Sequence, residues 1–285
     1  MAHEKAAFVV CGPTASGKSE LSDALAEGLA NAHHVPTLVV DSMQVYKEIP
    51  VITNQARRRP AELVGIVSVT EEWTVARHRE SAEEIVAPQT RFVLDAGTGM
   101  YLNAILLDLA LAPRVSPELR RRALAATAGE PNPRQAARER ELELAGIEER
   151  GSIWGGDLRY DTTVIYLRPE RPALDAGIDE RAGRITRDGL HEATKIQDLL
   201  ASGARINPSV MDSVGVRELT QFLSGTISLQ QAHERIATRT RRLARRQMRW
   251  FDKLAHTLEG RARITVVHDT AHRINLHSMH DILGV

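Results

Sequence analysis

The 285-residue chain has a single cysteine, Cys11, and no surplus of charge: 37 lysines and arginines balance 37 aspartates and glutamates. One thiol excludes an intramolecular disulfide and a cysteine-based metal cluster. No stretch approaches the roughly 20 apolar residues of a membrane-spanning helix. The apolar run Ala6–Cys11 is too short for the core of a signal peptide. No membrane association and a cytoplasmic location are therefore expected. Zero net charge means that global electrostatics does not predict a polyanionic partner. Internal repeats and low-complexity tracts are absent too. What remains is a globular composition, 42% apolar and 26% charged, with the length of one large domain or of one domain carrying an insertion.

Neutrality overall hides a local asymmetry. Between Gln230 and Lys253 stand Arg235, Arg239, Arg241, Arg242, Arg245, Arg246, Arg249 and Lys253, against only Glu234 and Asp252. At about 100° per residue, Ile236, Thr240, Leu243, Gln247, Trp250 and Leu254 fall on one stripe of a helix over Leu229–Leu258. Arg235, Arg239, Arg242, Arg246, Arg249 and Lys253 fall on the stripe beside it. One flank is expected to pack and its neighbour to face a polyanion. Gln247 lies in the packing stripe, so its amide needs a partner, either core backbone or substrate.

Elsewhere, short buried-strand patterns alternate with helical ones. Strands are expected at Ala6–Cys11, Thr37–Ser42, Leu63–Val69, Arg91–Gly97, Thr162–Pro169 and Arg263–Asp269. Helices are expected at Lys18–Ala30, Trp73–Ala87 and Tyr101–Leu109. This alternation predicts an α/β fold, a parallel sheet flanked by helices. The character changes over 113–160, where two polar, arginine-rich helical stretches (Pro117–Ala126 and Pro133–Ala145) indicate a short helical insertion. Residues 1–112 and 161–285 then form the core.

The strongest motif follows the first strand. Gly12-Pro13-Thr14-Ala15-Ser16-Gly17-Lys18-Ser19 has the G-x-x-x-x-G-K-[ST] pattern between a strand and a helix. Its backbone N–H groups and the helix N-terminus form an anion nest. Lys18 adds a point charge, and the Ser19 hydroxyl suits Mg²⁺. On its own the pattern favours ATP or GTP. Asp41 ends the second strand, at the edge that lines the ligand crevice of open α/β sheets. It suits a proton acceptor and equally, with Ser42, a helix N-cap. Asp95 ends another apolar run in "DAGTG", as a Walker B acid does, or as an ordinary strand-to-helix turn does. Gly97 and Gly99 there permit close approach of a ligand, and Thr98 offers a hydroxyl. His268, His272, His277 and His280 crowd the C-terminus without a spaced cysteine or glutamate, as surface histidines do. Trp73 and Trp250 are expected in the core, with Trp154, in a glycine-flanked loop, a candidate base contact.

Four motifs together carry a resemblance: "GPTASGKS" (Gly12–Ser19), "DSMQVYKEIPVITN" (Asp41–Asn54), "GTGMY" (Gly97–Tyr101) and "RRLARRQMRWF" (Arg241–Phe251). Their order and spacing resemble the tRNA dimethylallyltransferases over most of Phe8–Phe251. The resemblance implies a P-loop NTPase-like fold whose loop binds the diphosphate of dimethylallyl diphosphate and transfers no phosphoryl group. The dimethylallyl group goes instead to N6 of adenosine 37 of tRNA. By the same resemblance Asp41 is the general base and Arg181, in "IDERAGRITRDGL", stabilises the leaving diphosphate together with Lys18. Gly12, Thr14, Ala15, Ser16, Gly17, Lys18, Ser19 and Thr98 surround the diphosphate, with Mg²⁺ at Ser19. Ser42, Gln44, Thr53, Arg242, Arg246 and Gln247 face the tRNA, whose anticodon stem-loop is the expected partner of a monomeric enzyme. The chain departs from the pattern in Asp95-Ala96 ahead of Gly97, in Ile52 at a common glycine, in the lack of a basic residue near Gln55, and in a short insertion. The alternatives are an adenylate isopentenyltransferase acting on free nucleotide, a P-loop small-molecule kinase using Asp95, and a non-catalytic RNA-binding protein.

Overall fold

Five runs of β-branched and aliphatic residues form one parallel sheet, in the order β2-β3-β1-β4-β5. These are β1 (Ala6–Cys11), β2 (Thr37–Val40), β3 (Arg91–Ala96), β4 (Asp161–Leu167) and β5 (Arg263–Val267). The computed structural model describes residues 5–30, 34–109, 111, 115–127, 129–130, 133–147 and 152–271. The three central strands are apolar without alternation because helices cover both faces; Ala7, Val9, Val10, Val93, Leu94 and Leu167 are fully buried. On one face α1 (Lys18–Leu29) lays Leu21, Leu25 and Leu29 against Phe8, Val10, Val93 and Ile165. Each such side chain contributes roughly 1.5–3 kcal/mol by leaving water.

The strand expected at Leu63–Val69 does not form. Leu63 and Gly65 both adopt left-handed backbone, at φ 64° and 60°, which a strand cannot accommodate. The segment instead makes isolated bridges, Leu38 with Glu62 and Tyr46 with Val67, and its amides donate to the carbonyls of Gln44 and Val45.

The chain divides into two units, Leu107–Asp157 and the remainder, Met1–Leu106 with Leu158–Val285. In the smaller unit α5 (Pro117–Ala126) pairs with α6 (Pro133–Leu144). Ala123, Ala137 and Leu142 are buried there, and the buried Glu141 carboxylate is ion-paired with Arg138 at 2.8 Å. Trp154 is half-buried in this unit.

In the larger unit α2 (Pro50–Thr53), α3 (Val75–Val86) and α4 (Gly99–Leu106) precede the smaller unit in the chain. After β4 come α7 (Arg171–Asp188), α8 (Leu190–Ala201), α9 (Pro208–Met211), α10 (Val216–Leu223) and α11 (Leu229–Leu258). The long helix α11 starts at a reciprocal cap: Ser228 Oγ accepts from Gln231 N at 3.1 Å, and Gln231 Oε1 accepts from Ser228 N at 2.9 Å. Its buried face shares Ile236, Thr240 and Leu254 with the expected stripe and adds Ala237, Ala244, Phe251 and Leu258, whereas Leu243, Gln247 and Trp250 are only half-buried. The small Ala244 lets α7 approach at Leu174 and Ile178. Phe251 meets the Tyr166 ring at 5.8 Å. Among the described residues no helix is long and apolar enough to cross a membrane. His272, His277 and His280 lie outside the described residues, and His268 is exposed.

Trp73 and His78 form a buried polar contact under α4. Trp73 Nε1 donates to His78 Nδ1 at 3.0 Å, and the imidazole packs 5.0 Å from the Tyr101 ring. Burial pushes the His78 pKa down to about 4. An unfolded histidine takes up its proton near pH 6.5, so unfolding is accompanied by proton uptake between pH 6.5 and 4, and stability falls as the pH falls through that window. His78→Gln, which retains an acceptor for Trp73, is expected to flatten this dependence by about 1.4 kcal/mol per pH unit. Denaturant titrations at several pH values check this; identical slopes in the two proteins would contradict it.

Candidate active site

Parallel register brings three strand ends to one line. Cys11 and Val40 both pair with Ala96, so Gly12, Asp41 and Gly97 leave the sheet together at its carboxyl edge. The chain runs outward from β1 in both directions, and it is at such an edge that open α/β sheets bind ligands.

The Gly12–Ser19 loop is wound for an anion. Gly17 caps α1 in the left-handed region at φ 82°, and Ala15 also holds a positive φ of 65°. Among the described residues no acceptor takes the N–H of Ala15, Gly17, Lys18 or Ser19. Ser16 Oγ is buried without a hydrogen-bond partner. The Ser19 hydroxyl likewise makes no hydrogen bond among the described residues. Orphan donors of this kind are costly unless a ligand takes them.

Two cations converge on the same place. Burial lowers the pKa of Lys18, opposed by the negative charges of Asp95 and Asp41. Burial also lowers Arg181, to about 10, with Asp41 again opposing. At about 10, Arg181 remains charged at neutral pH. Asp41 holds a turn rather than a helix N-cap: its Oδ1 accepts from Met43 N at 2.8 Å and Gln44 N at 3.3 Å. Its Oδ2 points across Gly97, where a Cβ would sit 2.6 Å from that oxygen and 3.6 Å from Lys18 Nζ. Glycine at 97 is what lets the carboxylate and the ammonium lie over the loop together. Thr98 Oγ1 accepts from Ser42 N at 3.1 Å and ties the second loop to the third.

Gln247 joins α11 to this edge. Its Oε1 accepts from Thr14 N at 2.8 Å, and its Nε2 donates to Gly97 O at 2.8 Å. Both ends of the amide are thus engaged with backbone, which accounts for a polar residue in the packing stripe. Thr53 is turned inward as well: its hydroxyl donates to Ile49 O at 2.7 Å and accepts from Gln55 Nε2 at 2.9 Å. Gln44 is buried. Arg242 and Arg246 are exposed on α11, as are Arg245 and Arg249, and none of the four has an ion-pair partner among the described residues. Arg239, expected in the same cationic stripe, is instead ion-paired with the buried Glu218 at 2.5 Å, and Arg241 pairs with Asp179.

Asp95 is engaged through one oxygen, while its Oδ1 is buried without a hydrogen-bond partner among the described residues. Its Oδ2 is ion-paired with Arg57 at 2.5 Å, and Arg57 also binds Asp23 at 2.6 Å and the Ser19 carbonyl at 3.3 Å. The guanidinium and both carboxylates are almost wholly buried. Burial alone would lower the Arg57 pKa, but Asp95 and Asp23 outweigh it and the net shift is upward. Arg57 is a site residue that the motifs do not reveal. Its signal is the buried Asp95, which requires a counter-charge; standing two positions beyond Gln55, Arg57 also corrects the expectation that no basic residue lies near Gln55.

The family model described as IPP transferase matches residues 44–148 and 139–254. The chain is 61% identical over 282 residues to a tRNA dimethylallyltransferase of Rubrobacter xylanophilus, with 96% of this chain and 97% of that protein covered. Two crystal structures share the fold. One is the tRNA isopentenylpyrophosphate transferase of Bacillus halodurans, with TM-score 0.71, 24% identity, and 99% of this chain and 96% of that chain covered. The other is a eukaryotic dimethylallyltransferase acting on tRNA, with TM-score 0.72, 22% identity, and 98% and 80% covered.

Removing one member of a buried ion cluster strands the others. Arg57→Met is therefore expected to cost about 3–5 kcal/mol of stability, and adding Asp95→Val, which removes one stranded charge, should recover part of it. Chemical denaturation of the single and double variants measures both. A double variant less stable than Arg57→Met would contradict the cluster as described.

Proposed function

The chain belongs to the IPP transferase family, and from that premise we propose that it transfers the dimethylallyl group of dimethylallyl diphosphate to N6 of adenosine 37 of tRNA. The observation that carries this reading is the meeting of an anion-binding loop, two desolvated cations and one carboxylate, whose Oδ2 lies across Gly97 within 3.5 Å of the Thr98 hydroxyl, at a single sheet edge.

Adenine N6 is a weak nucleophile because its lone pair is delocalised into the ring. Departure of the diphosphate must therefore be assisted. As the bond between the allylic carbon and oxygen breaks, negative charge grows on the leaving diphosphate. Lys18, Arg181 and the loop N–H groups are fixed in advance to meet that charge, and preorganised electrostatics of this kind usually contributes more to catalysis than any other effect. The new bond forms between N6 and the allylic carbon, and the proton leaving N6 passes to Asp41. General-base help of this kind is worth about 10²–10⁴ in rate.

A divalent cation fits the donor set. The Ser19 hydroxyl is available, and no group of three His, Cys, Asp or Glu side chains among the described residues forms a dedicated cage. Mg²⁺ is commonly held by one or two protein oxygens plus substrate phosphates. In this proposal Ser19 would hold it, and it would add positive charge beside the diphosphate.

Against phosphoryl transfer stands the ion pair that Asp95 Oδ2 makes with Arg57, which offsets the negative charge a magnesium acid would offer. Against a free nucleotide as acceptor stand the exposed arginines Arg242, Arg245, Arg246 and Arg249 on one helix, a surface suited to a polyanion. The target adenine must leave its stack to reach the sheet edge, as base-modifying enzymes require. We assign the Leu107–Asp157 unit as a further tRNA contact. We place this reaction in the cytoplasm and assign it to the monomer.

Nucleoside mass spectrometry of tRNA incubated with enzyme and dimethylallyl diphosphate is expected to find the N6-dimethylallyl adenosine. Asp41→Ala should lose about 10²–10⁴ in kcat with donor KM unchanged; full activity in that variant would remove Asp41 from the base role. The Arg242→Ala/Arg246→Ala double variant should weaken tRNA binding and shorten its salt slope by about one unit per lost phosphate contact. An unchanged slope would exclude α11 as the RNA surface.

A further inference from the structure

Arg181 has a single hydrogen bond among the described residues, from Nη2 to the carbonyl of Ile52 at 3.3 Å. A long side chain carries about 2 kcal/mol of rotamer entropy, so the direction of this guanidinium depends on where that carbonyl is held. Ile52 belongs to α2, which is only four residues long and too short to hold its own position. Something outside the helix has to fix it.

That group is Glu192, on α8, fully buried. Its Oε1 accepts from Val51 N at 2.7 Å and its Oε2 from Ile52 N at 2.9 Å. Pro50 has no N–H, so the two carboxylate oxygens take the first two amides that α2 has to offer. Desolvation raises the Glu192 pKa, and these two amide donors oppose the rise. The Ile52 side chain is wedged on the same side. A Cβ at Gly189 would lie 3.0 Å from its Cγ1, and one at Gly215 would lie 2.8 Å from its Cγ2. Two glycines thus make the room that an isoleucine needs at a position where the family pattern commonly has glycine.

We propose that Glu192 is a positioning residue for the reaction: by clamping α2 it places the Ile52 carbonyl that holds Arg181 toward the leaving diphosphate. This rests on the reading of Arg181 given above. Glu192 touches neither substrate in this scheme; it acts through a backbone hydrogen bond and one guanidinium. Its contribution is orientation, and misplacement of a catalytic group by about 1 Å can cost on the order of a hundredfold in rate.

The test is a double-mutant cycle on single-turnover transfer to an anticodon stem-loop, using Glu192→Gln, Arg181→Ala and the double variant. In Glu192→Gln the carboxamide NH₂ faces a backbone N–H that it cannot accept, so the clamp opens on one side. The expected result is a loss of about 10- to 100-fold in rate, with tRNA affinity unchanged. In the Arg181→Ala background, the same change should add little. Losses that multiply across the two sites would overturn the proposal, as would a Glu192→Gln enzyme as fast as wild type. If Glu192→Gln does not fold, Glu192→Asp retains the charge while shortening the reach by one methylene, and the same non-additivity with Arg181→Ala is expected. A folded wild-type enzyme that leaves the stem-loop unmodified would instead overturn the functional reading itself, and this assignment with it.

Discussion

Two half-buried cations at one sheet edge constrain everything around them. Lys18 and Arg181 each lose hydration, and each has its pKa pulled down as a result. An unpaired charge in that position would shed its proton or draw in solvent. The structure answers with negative charge. Asp41 acts on both cations, and Asp95 acts on Lys18. The catalytic reading of Asp41 therefore sits on a structural one, since the carboxylate assigned to receive the proton also opposes the fall in the pKa of both neighbours. A diphosphate entering this edge meets donors already oriented and only partly neutralised, the condition under which electrostatic stabilisation is strongest.

The loops that carry these groups are bound to one another by a few long-range polar contacts rather than by a large apolar interface. Gln247 ties the loop after β1 to the loop after β3. Thr98 ties the latter to the loop after β2. Arg57 ties the first two turns of α1, through Ser19 and Asp23, to the end of β3 at Asp95. Glu192 ties α2 to α8. Each contact joins residues distant in sequence, and each satisfies a buried backbone or charged group that would otherwise be costly. Rigidity is placed at the reacting edge, while the exposed arginines on α11 remain available to a flexible polyanion.

Much of this is legible in the sequence, for identifiable reasons. The anion-binding loop is local: its glycines, lysine and serine lie within eight residues, and the strand before it and the helix after it have clear periods. The sheet strands are legible because burial on both faces leaves continuous apolar runs. The segment Leu63–Val69 has the same composition and misleads, since a run of apolar residues does not report the left-handed backbone at Leu63 and Gly65. The packed face of α11 keeps Ile236, Thr240 and Leu254 of the expected stripe but extends to Ala244 and Phe251, because periodicity cannot see that these two fit α7 and Tyr166. Arg57 and Glu192 are invisible for a different reason. A buried charge is recognised by its partner, and the partners Asp95 and the α2 amides lie 38 and about 140 residues away in the chain.

The central claim is that the Gly12–Ser19 loop holds the diphosphate of an isoprenoid, with the allylic carbon turned toward Asp41. A crystal structure with an unreactive thio-analogue of dimethylallyl diphosphate tests it most directly. The account predicts the diphosphate on the loop N–H groups, with Lys18 and Arg181 against its oxygens and the isoprenyl chain directed past Gly97. A loop that bound ATP with its γ-phosphate ordered there, and left the analogue unbound at the same concentration, would contradict it.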